Sequence, residues 1–452
     1  MKIHFIAIGG SAMHNVAISL KIKGYNVSGS DDEIFEPSKS RLASYSILPE
    51  NIGWDSEKIT QDIDAVVLGM HARKDNPELL KAKELGLKIY SYPEFIYEQS
   101  KNKKRIVIGG SHGKTTITSM ILHVLNACKI PCDYLVGAAL EGFDVMVKLS
   151  DNAPYIIIEG DEYLTSPIDL RPKFHVYMPD IAVISGIAWD HINVFPTFEN
   201  YVEQFKIFAE LIPQNGTLIY CQEDENCRKI AENTPLYNIY GYTIPDYIIE
   251  NQIYKVMFQD KKIPLQIFGV HNLLNMNAAR LTCNSIGISD EDFYHAIQSF
   301  KGASKRLELV SENETFALYK DFAHSPSKLK ATIDAVKEKY ADRKLVACLE
   351  LHTFSSLTAA FLTQYAHTMD NADEAFVYFN PHTLAHKKLP PLDNETIYTA
   401  FQNKNILIFQ DSKKLTDKLT SMKWENKNLL MMSSGNFDGM DYGQLRIKNL
   451  MM

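Results

Sequence analysis

Apolar residues along this chain form short, nearly unbroken runs separated by stretches in which they return every three or four positions. Ile3 to Ile8, Ala65 to Leu68, Ile106 to Ile108, Tyr155 to Glu159 and Ile181 to Ser185 are such runs, ended by glycine or polar residues. That is the pattern of strands covered on both faces of a parallel sheet. Intervening segments such as Ile117 to Leu122 have helical spacing, so the chain alternates strand and helix and predicts an α/β fold. Further strands are expected at Lys88 to Tyr90, Lys344 to Ala347, Glu374 to Tyr378 and Asn428 to Met432. The pattern resets at the basic stretch Gln99 to Arg105, read as a solvated linker, and again near Lys301 to Ser304. Three segments result: 1–100, 101–303 and 304–452.

With 452 residues the chain is too long for one core, which agrees with several domains. A formal charge of −8 argues against a nucleic-acid or anionic-membrane partner. Acidic ligands must then be met by local glycines and cations. Six cysteines without a Cys-x-x-Cys pair predict free thiols in a reducing compartment. The N-terminal stretch has no signal-peptide pattern and no run is long enough to span a bilayer, so a cytoplasmic protein is expected, monomeric or weakly dimeric.

Chemistry concentrates at Gly110-Ser111-His112-Gly113-Lys114-Thr115-Thr116, between a predicted strand and a predicted helix. Glycines there let backbone N–H groups surround phosphate oxygens, Lys114 neutralises the outer phosphates, and Thr115 or Thr116 offers an oxygen to Mg²⁺. Ile108 occupies the first glycine position of the strict eight-residue pattern. The opening βαβ segment carries Gly9-Gly10-Ser11 after its first strand and Ser30-Asp31 at the end of its second. Gly-x-Gly-x-x-Gly is absent, with Ser11 and His14 at the later glycine positions, which disfavours a nicotinamide cofactor but leaves room for another diphosphate. Glu159 and His191 close two central strands, where side chains face the ligand crevice; Asp161, Glu162 and Asp190 add negative field. Asn272 and Asn275 lie three apart at a helix start, suited to an adenine edge or to capping.

Taken in order, "GSHGKTT", "EGDEY", "WDH", "GVHNLLN", "FKGASKRLEL" and "DFAHSP" resemble the Mur ligase family, ATP-dependent enzymes that build peptidoglycan precursors. The resemblance spans the whole chain. It implies a Rossmann-like N-terminal domain for the UDP-sugar, a central ATPase domain with a parallel sheet, and a Rossmann-like C-terminal domain for the amine. By position, Lys114 resembles the phosphate-loop lysine, Thr115, Glu159 and His191 a magnesium site, and Asn272 and Asn275 the asparagines near the nucleotide. Arg306 resembles the arginine at the entry to the third domain and Asp321 the acid that opens it. Gly9, Gly10, Ser11, Ser30 and Asp31 take the UDP-sugar side. ATP and Mg²⁺ are the implied cofactors.

Two branches of the family use UDP-N-acetylmuramate, one adding L-alanine and the other the tripeptide L-alanyl-γ-D-glutamyl-meso-diaminopimelate. "GSDDEIFEPSKSRL", the insertion "LTSPIDLRPKFHVYMPD", "DFAHSP" and "SSGNFDG" resemble the tripeptide branch, which is the expected activity. "LHTFSS" is nearer the alanine branch, the alternative. Ser185, Gly186, Ala188 and Ser325 depart from the tripeptide pattern, and Asn380-Pro381-His382 resembles only faintly a diaminopimelate motif of the family. A non-catalytic nucleotide-binding relative is the remaining reading.

Overall fold

The computed structural model describes residues 1–137, 143, 145–189, 194–303 and 306–442. Its α/β architecture is as the apolar runs predict. Contacts divide the chain into two compact units, one made of 1–243 and 275–297, the other of 244–274 and 298–452.

The first unit holds two sheets among the described residues. Strands β1 (Lys2–Ile6), β2 (Asn26–Ser30), β3 (Ala65–Leu68) and β4 (Ile89–Ser91) form a parallel sheet in the order β2-β1-β3-β4. Seven further strands are β5 (Lys104–Gly109), β6 (Cys132–Leu135), β7 (Val147–Lys148), β8 (Tyr155–Glu159), β9 (Ile181–Ile184), β10 (Thr217–Cys221) and β11 (Asn238–Tyr242), ordered β11-β10-β9-β5-β8-β6-β7. All pair in parallel except β7. The central β5 is apolar because its flanks are filled: Ile106, Val107 and Ile108 are fully buried. After β5 the chain moves to β6, and after β8 it crosses to β9 on the other side of β5. A crevice at the carboxyl ends is the consequence of that reversal.

One apolar cluster runs through both sheets, joining Val16, Leu20, Phe95 and Ile96 to Val107, Val145, Val147 and Ile158. Asn15 and Ser19, on the helix Ser11–Ile22, accept the Met146 and Leu149 backbone N–H groups at 3.1 and 3.0 Å. The stretch expected as a solvated linker is built otherwise. Helix Tyr92–Ser100 starts with a Ser91–Glu94 capping box, and β5 begins at Lys104, leaving three residues between them. Lys103 is buried against Asp133 at 2.7 Å, and Arg105 Nη2 lies 3.0 Å from Asp180. Carboxylates brought in from elsewhere in the chain turn Lys103 and Arg105 inward, while Lys101, Asn102 and Lys104 stay exposed as a solvated linker predicts.

The second unit contains an antiparallel sheet of β12 (Tyr247–Glu250), β13 (Ile253–Phe258) and β14 (Lys261–Pro264). Its other sheet comprises β15 (Glu308–Glu312), β16 (Ala317–Asp321), β17 (Lys344–Glu350), β18 (Glu374–Tyr378), β19 (Leu407–Phe409) and β20 (Lys427–Met432), ordered β15-β16-β20-β17-β18-β19. Only β15 runs antiparallel there. Tyr247 and Tyr254 donate to the two Glu338 oxygens at 2.7 and 2.5 Å, fastening the small sheet to the helix Pro326–Lys339. Lys339 adds a cation–π contact 4.2 Å from the Phe268 ring.

Candidate active site

The phosphate loop lies between β5 and the helix Lys114–Ala127. Gly110 and Gly113 have φ of +126° and +76°, a region that L side chains avoid, and space is short as well. A Cβ on Gly110 would sit 2.8 Å from the Ser185 nitrogen and collide with Ser185 Oγ; one on Gly113 would collide with Asn275 Oδ1. Ser185, one of the departures from the tripeptide-branch pattern, is thus a clamp on this loop. Its N–H and Oγ both reach the Gly109 carbonyl, at 3.1 and 3.2 Å, and Oγ also donates to the His112 carbonyl. Ser111 donates its N–H to Gly186 O at 2.9 Å, and its Oγ accepts from Ala188 N at 2.9 Å and meets Tyr201 Oη at 2.9 Å.

Lys114 reaches Gly110 O at 2.7 Å and both Glu162 oxygens at 2.9 and 2.7 Å. Burial works against its charge, yet the Glu162 and Asp161 carboxylates outweigh burial and hold it above the usual lysine range. Asp161 itself pairs with Lys173 at 2.5 Å. Thr115 Oγ1 donates to Glu159 Oε1 at 2.8 Å, and Gly137 N donates to Glu159 Oε2 at 2.9 Å. A hydroxyl beside a carboxylate at the mouth of a phosphate loop fits the oxygen donors that Mg²⁺ selects, and Mg²⁺ takes its remaining ligands from water and phosphate. Among the described residues no three His, Cys, Asp or Glu side chains cluster as a metal cage. His191 lies outside the described residues. Thr116 is buried on the helix's first turn.

Asn272 is buried and its amide donates to Phe268 O at 2.9 Å, so this donor serves the turn before its helix; Asn275 instead faces Gly113. Asp321 ends β16 and accepts Leu307 N and Ala323 N, both at 2.6 Å. Burial pushes its carboxyl up, opposed chiefly by Arg306, whose guanidinium rests 5.0 Å from the Phe322 ring centre. Asn380 caps the helix Pro381–His386 through His382 N at 2.8 Å, which accounts for that residue pair without a ligand.

On the N-terminal sheet, Gly10 starts the helix Ser11–Ile22 with no side-chain cap, leaving its first N–H groups available to an anion. Asp31 Oδ2 accepts Gly9 N at 2.7 Å, and Ser30 Oγ accepts Lys58 Nζ at 3.1 Å. Burial pushes the Asp31 carboxyl up to about 6, with Asp32 adding to the effect. Ser11 is exposed. His14, which in the sequence marks only an absent glycine, is held here by several partners. Its Nδ1 lies 2.9 Å from Gly10 O and 3.0 Å from Ser38 Oγ, and its Nε2 3.5 Å from Arg41. Burial pushes the His14 imidazole below the ordinary histidine range, with the Gly10 carbonyl opposing it.

Fold and loop define an α/β protein with a glycine-lysine loop, of the kind suited to phosphate, at the centre of a mostly parallel sheet. Three family models match consecutive parts of it: the Mur ligase family catalytic domain over residues 2–104, the Mur ligase middle domain over 108–283, and the Mur ligase glutamate ligase domain over 305–435. The UDP-N-acetylmuramate–L-alanine ligase of Clostridium kluyveri is 33% identical over 388 residues, 82% of each chain. The solved UDP-N-acetylmuramate-alanine ligase of Thermotoga maritima aligns with TM-score 0.69 and 20% identity, over 100% of this chain and 99% of that one. UDP-N-acetylmuramate:L-alanyl-γ-D-glutamyl-meso-diaminopimelate ligase from Neisseria meningitides aligns with TM-score 0.60 and 25% identity, over 66% of this chain and 98% of that one. The chain belongs to the Mur ligase family, and it is an ATP-dependent ligase that forms amide bonds.

Proposed function

We propose that this protein uses ATP to join the lactyl carboxylate of UDP-N-acetylmuramate to the α-amino group of an L-alanyl unit. The observation that carries the reading is the Lys114, Thr115 and Glu159 arrangement on the phosphate loop, in a chain that shares 33% identity with an L-alanine ligase. A carboxylate resists amines at neutral pH, so ATP's γ-phosphoryl first moves to it. The bond between the γ-phosphorus and the bridging oxygen breaks as a carboxylate oxygen takes the phosphorus, and ADP and an acyl phosphate result. The amine nitrogen then attacks the acyl carbon, the tetrahedral adduct expels phosphate, and the amine proton leaves to solvent.

The protein's share is positioning and electrostatics. Lys114 and the loop N–H groups would hold the outer phosphates, and Thr115 and Glu159 would hold Mg²⁺. Bound there, Mg²⁺ supplies positive charge to the phosphate oxygens. Gly9, Gly10, Ser11, Ser30 and Asp31 would receive the UDP-sugar; Arg306, Asp321, Asn272 and Asn275 would complete the nucleotide side. The three domains would be 1–100, 101–303 and 304–452. The reaction belongs in the cytoplasm, and no helix among the described residues is long and apolar enough to cross a membrane.

Free L-alanine is the first reading for the amine, because the relative named for it is 33% identical, against 24% and 25% for the solved murein peptide and tripeptide ligases. The tripeptide, expected from sequence motifs, becomes the second. What favours it is the insertion after β8, where Thr165 and Arg171 close a turn at 3.0 Å, together with the likeness to the Neisseria enzyme. Both amines form the same bond, since the tripeptide also begins with L-alanine. Phosphate release with ATP, Mg²⁺ and UDP-N-acetylmuramate separates them. Release with L-alanine alone supports the first reading, release with tripeptide alone the second, and release with neither refutes both.

A further inference from the structure

We infer that Glu162 competes for Lys114 with the outer phosphate of a nucleoside di- or triphosphate, so that such a ligand binds by displacing this carboxylate. The inference rests on the phosphate-loop reading of residues 110–116. An ammonium has three N–H donors, and those of Lys114 are matched by Gly110 O at 2.7 Å and the two Glu162 oxygens at 2.9 and 2.7 Å. No donor is left over for a phosphate while this arrangement holds. The contact is also sheltered: the side chains of Lys114 and Glu162 are 17% and 1% exposed. Salt and water therefore do little to weaken it.

A phosphate brings at least the charge that Glu162 supplies, and it brings the loop N–H groups as further donors. Lys114 can exchange one anion for the other without loss. Glu162 cannot, because it stays buried with Asp161 and Glu159 close by in sequence, and losing the Lys114 counter-charge there is costly. The exchange therefore taxes every ligand that needs Lys114 and spares any that does not. A nucleoside monophosphate has no β- or γ-phosphate to reach this lysine. Glu162 is a positioning residue in this account: it acts through Lys114 and sets which phosphate chains bind.

The test compares ADP and AMP binding by calorimetry, without metal, for the unmodified protein, Glu162→Gln and Glu162→Asp. UDP binding to each sample reports that it is folded. Glu162→Gln should tighten ADP at least about ten-fold, while AMP stays within about two-fold. Glu162→Asp, which keeps the charge but shortens the reach, should fall between and serves alone if the amide variant does not fold. In Lys114→Ala the effect of Glu162→Gln on ADP should vanish. Unchanged or weaker ADP binding in the Glu162 variants overturns the inference, as does an equal gain for AMP, which would mark a general loosening. Failure of the unmodified protein to bind ADP would sink the phosphate-loop reading as well.

Discussion

Asp133→Ala removes the carboxylate that holds Lys103 buried before β5. Asp133 and Lys103 are 0% and 6% exposed, with Nζ 2.7 Å from Oδ2. Lys103 would keep two backbone carbonyls, Ser150 O at 2.7 Å and Ala153 O at 3.1 Å, but no counter-charge. Ser150 would lose its acceptor for both N–H and Oγ, now at 2.9 and 2.7 Å. Stripping one partner from a buried pair costs about 3–5 kcal/mol because the other charge stays behind. At about 2–4 °C per kcal/mol for a unit of this size, the first thermal transition should fall by roughly 6–20 °C. Circular dichroism melts without nucleotide read this directly. Replacing both residues, Lys103→Met with Asp133→Leu, should recover most of the loss, since an apolar pair of similar volume carries no stranded charge. A fall of less than about 2 °C for Asp133→Ala would show that Lys103 reaches water and refute the reasoning.

Lys114→Ala should abolish phosphate release yet leave UDP-N-acetylmuramate binding within about two-fold, because the Gly9 to Asp31 turn lies on the other sheet; equal loss of both would contradict the assignment of ligands to sheets. Gly113→Ala places an L side chain at φ +76° against Asn275, at a cost of about 1–2 kcal/mol for the backbone alone. ADP titration should show at least about ten-fold weaker binding, and unaltered affinity would mean that the loop relaxes freely. Asp31 has a carboxyl pushed up to about 6 against an ordinary 3.8, so the folded state holds its proton longer than the unfolded one. Folding free energy should then drop by about 2–3 kcal/mol as pH rises from about 4 to 6, with no penalty below that window. Asp31→Asn should be the more stable protein at pH 8 and equal at pH 3 in urea titrations; a variant less stable at pH 8 would show that the Asp31 charge supports the fold.

Much of the scaffold is legible in the chain alone. Ala65–Leu68, Tyr155–Glu159 and Glu374–Tyr378 are strands with the limits their apolar runs suggest, because a strand covered on both faces needs unbroken hydrophobicity. The phosphate loop is legible for a similar reason: its strand, glycines, lysine and helix are consecutive. The sheet Tyr247–Pro264 is not, since Lys255, Lys261 and Lys262 break up its apolar pattern while Tyr254 and Val256 are its buried residues on β13. Its attachment to the helix Pro326–Lys339 comes from Glu338, far along the chain.

What the sequence determined by itself is therefore whatever depends on neighbours in the chain: the α/β alternation, the phosphate loop, and the order of motifs that marks the family. Tertiary structure alone decided the partners. It put Glu162 on Lys114 across 48 positions, Ser185 against Gly110, Asn275 against Gly113, and Asp133 under a lysine that composition assigns to solvent. Periodicity and turn chemistry are local properties written residue by residue, whereas a charge announces its sign but not the counter-charge that folding brings to it.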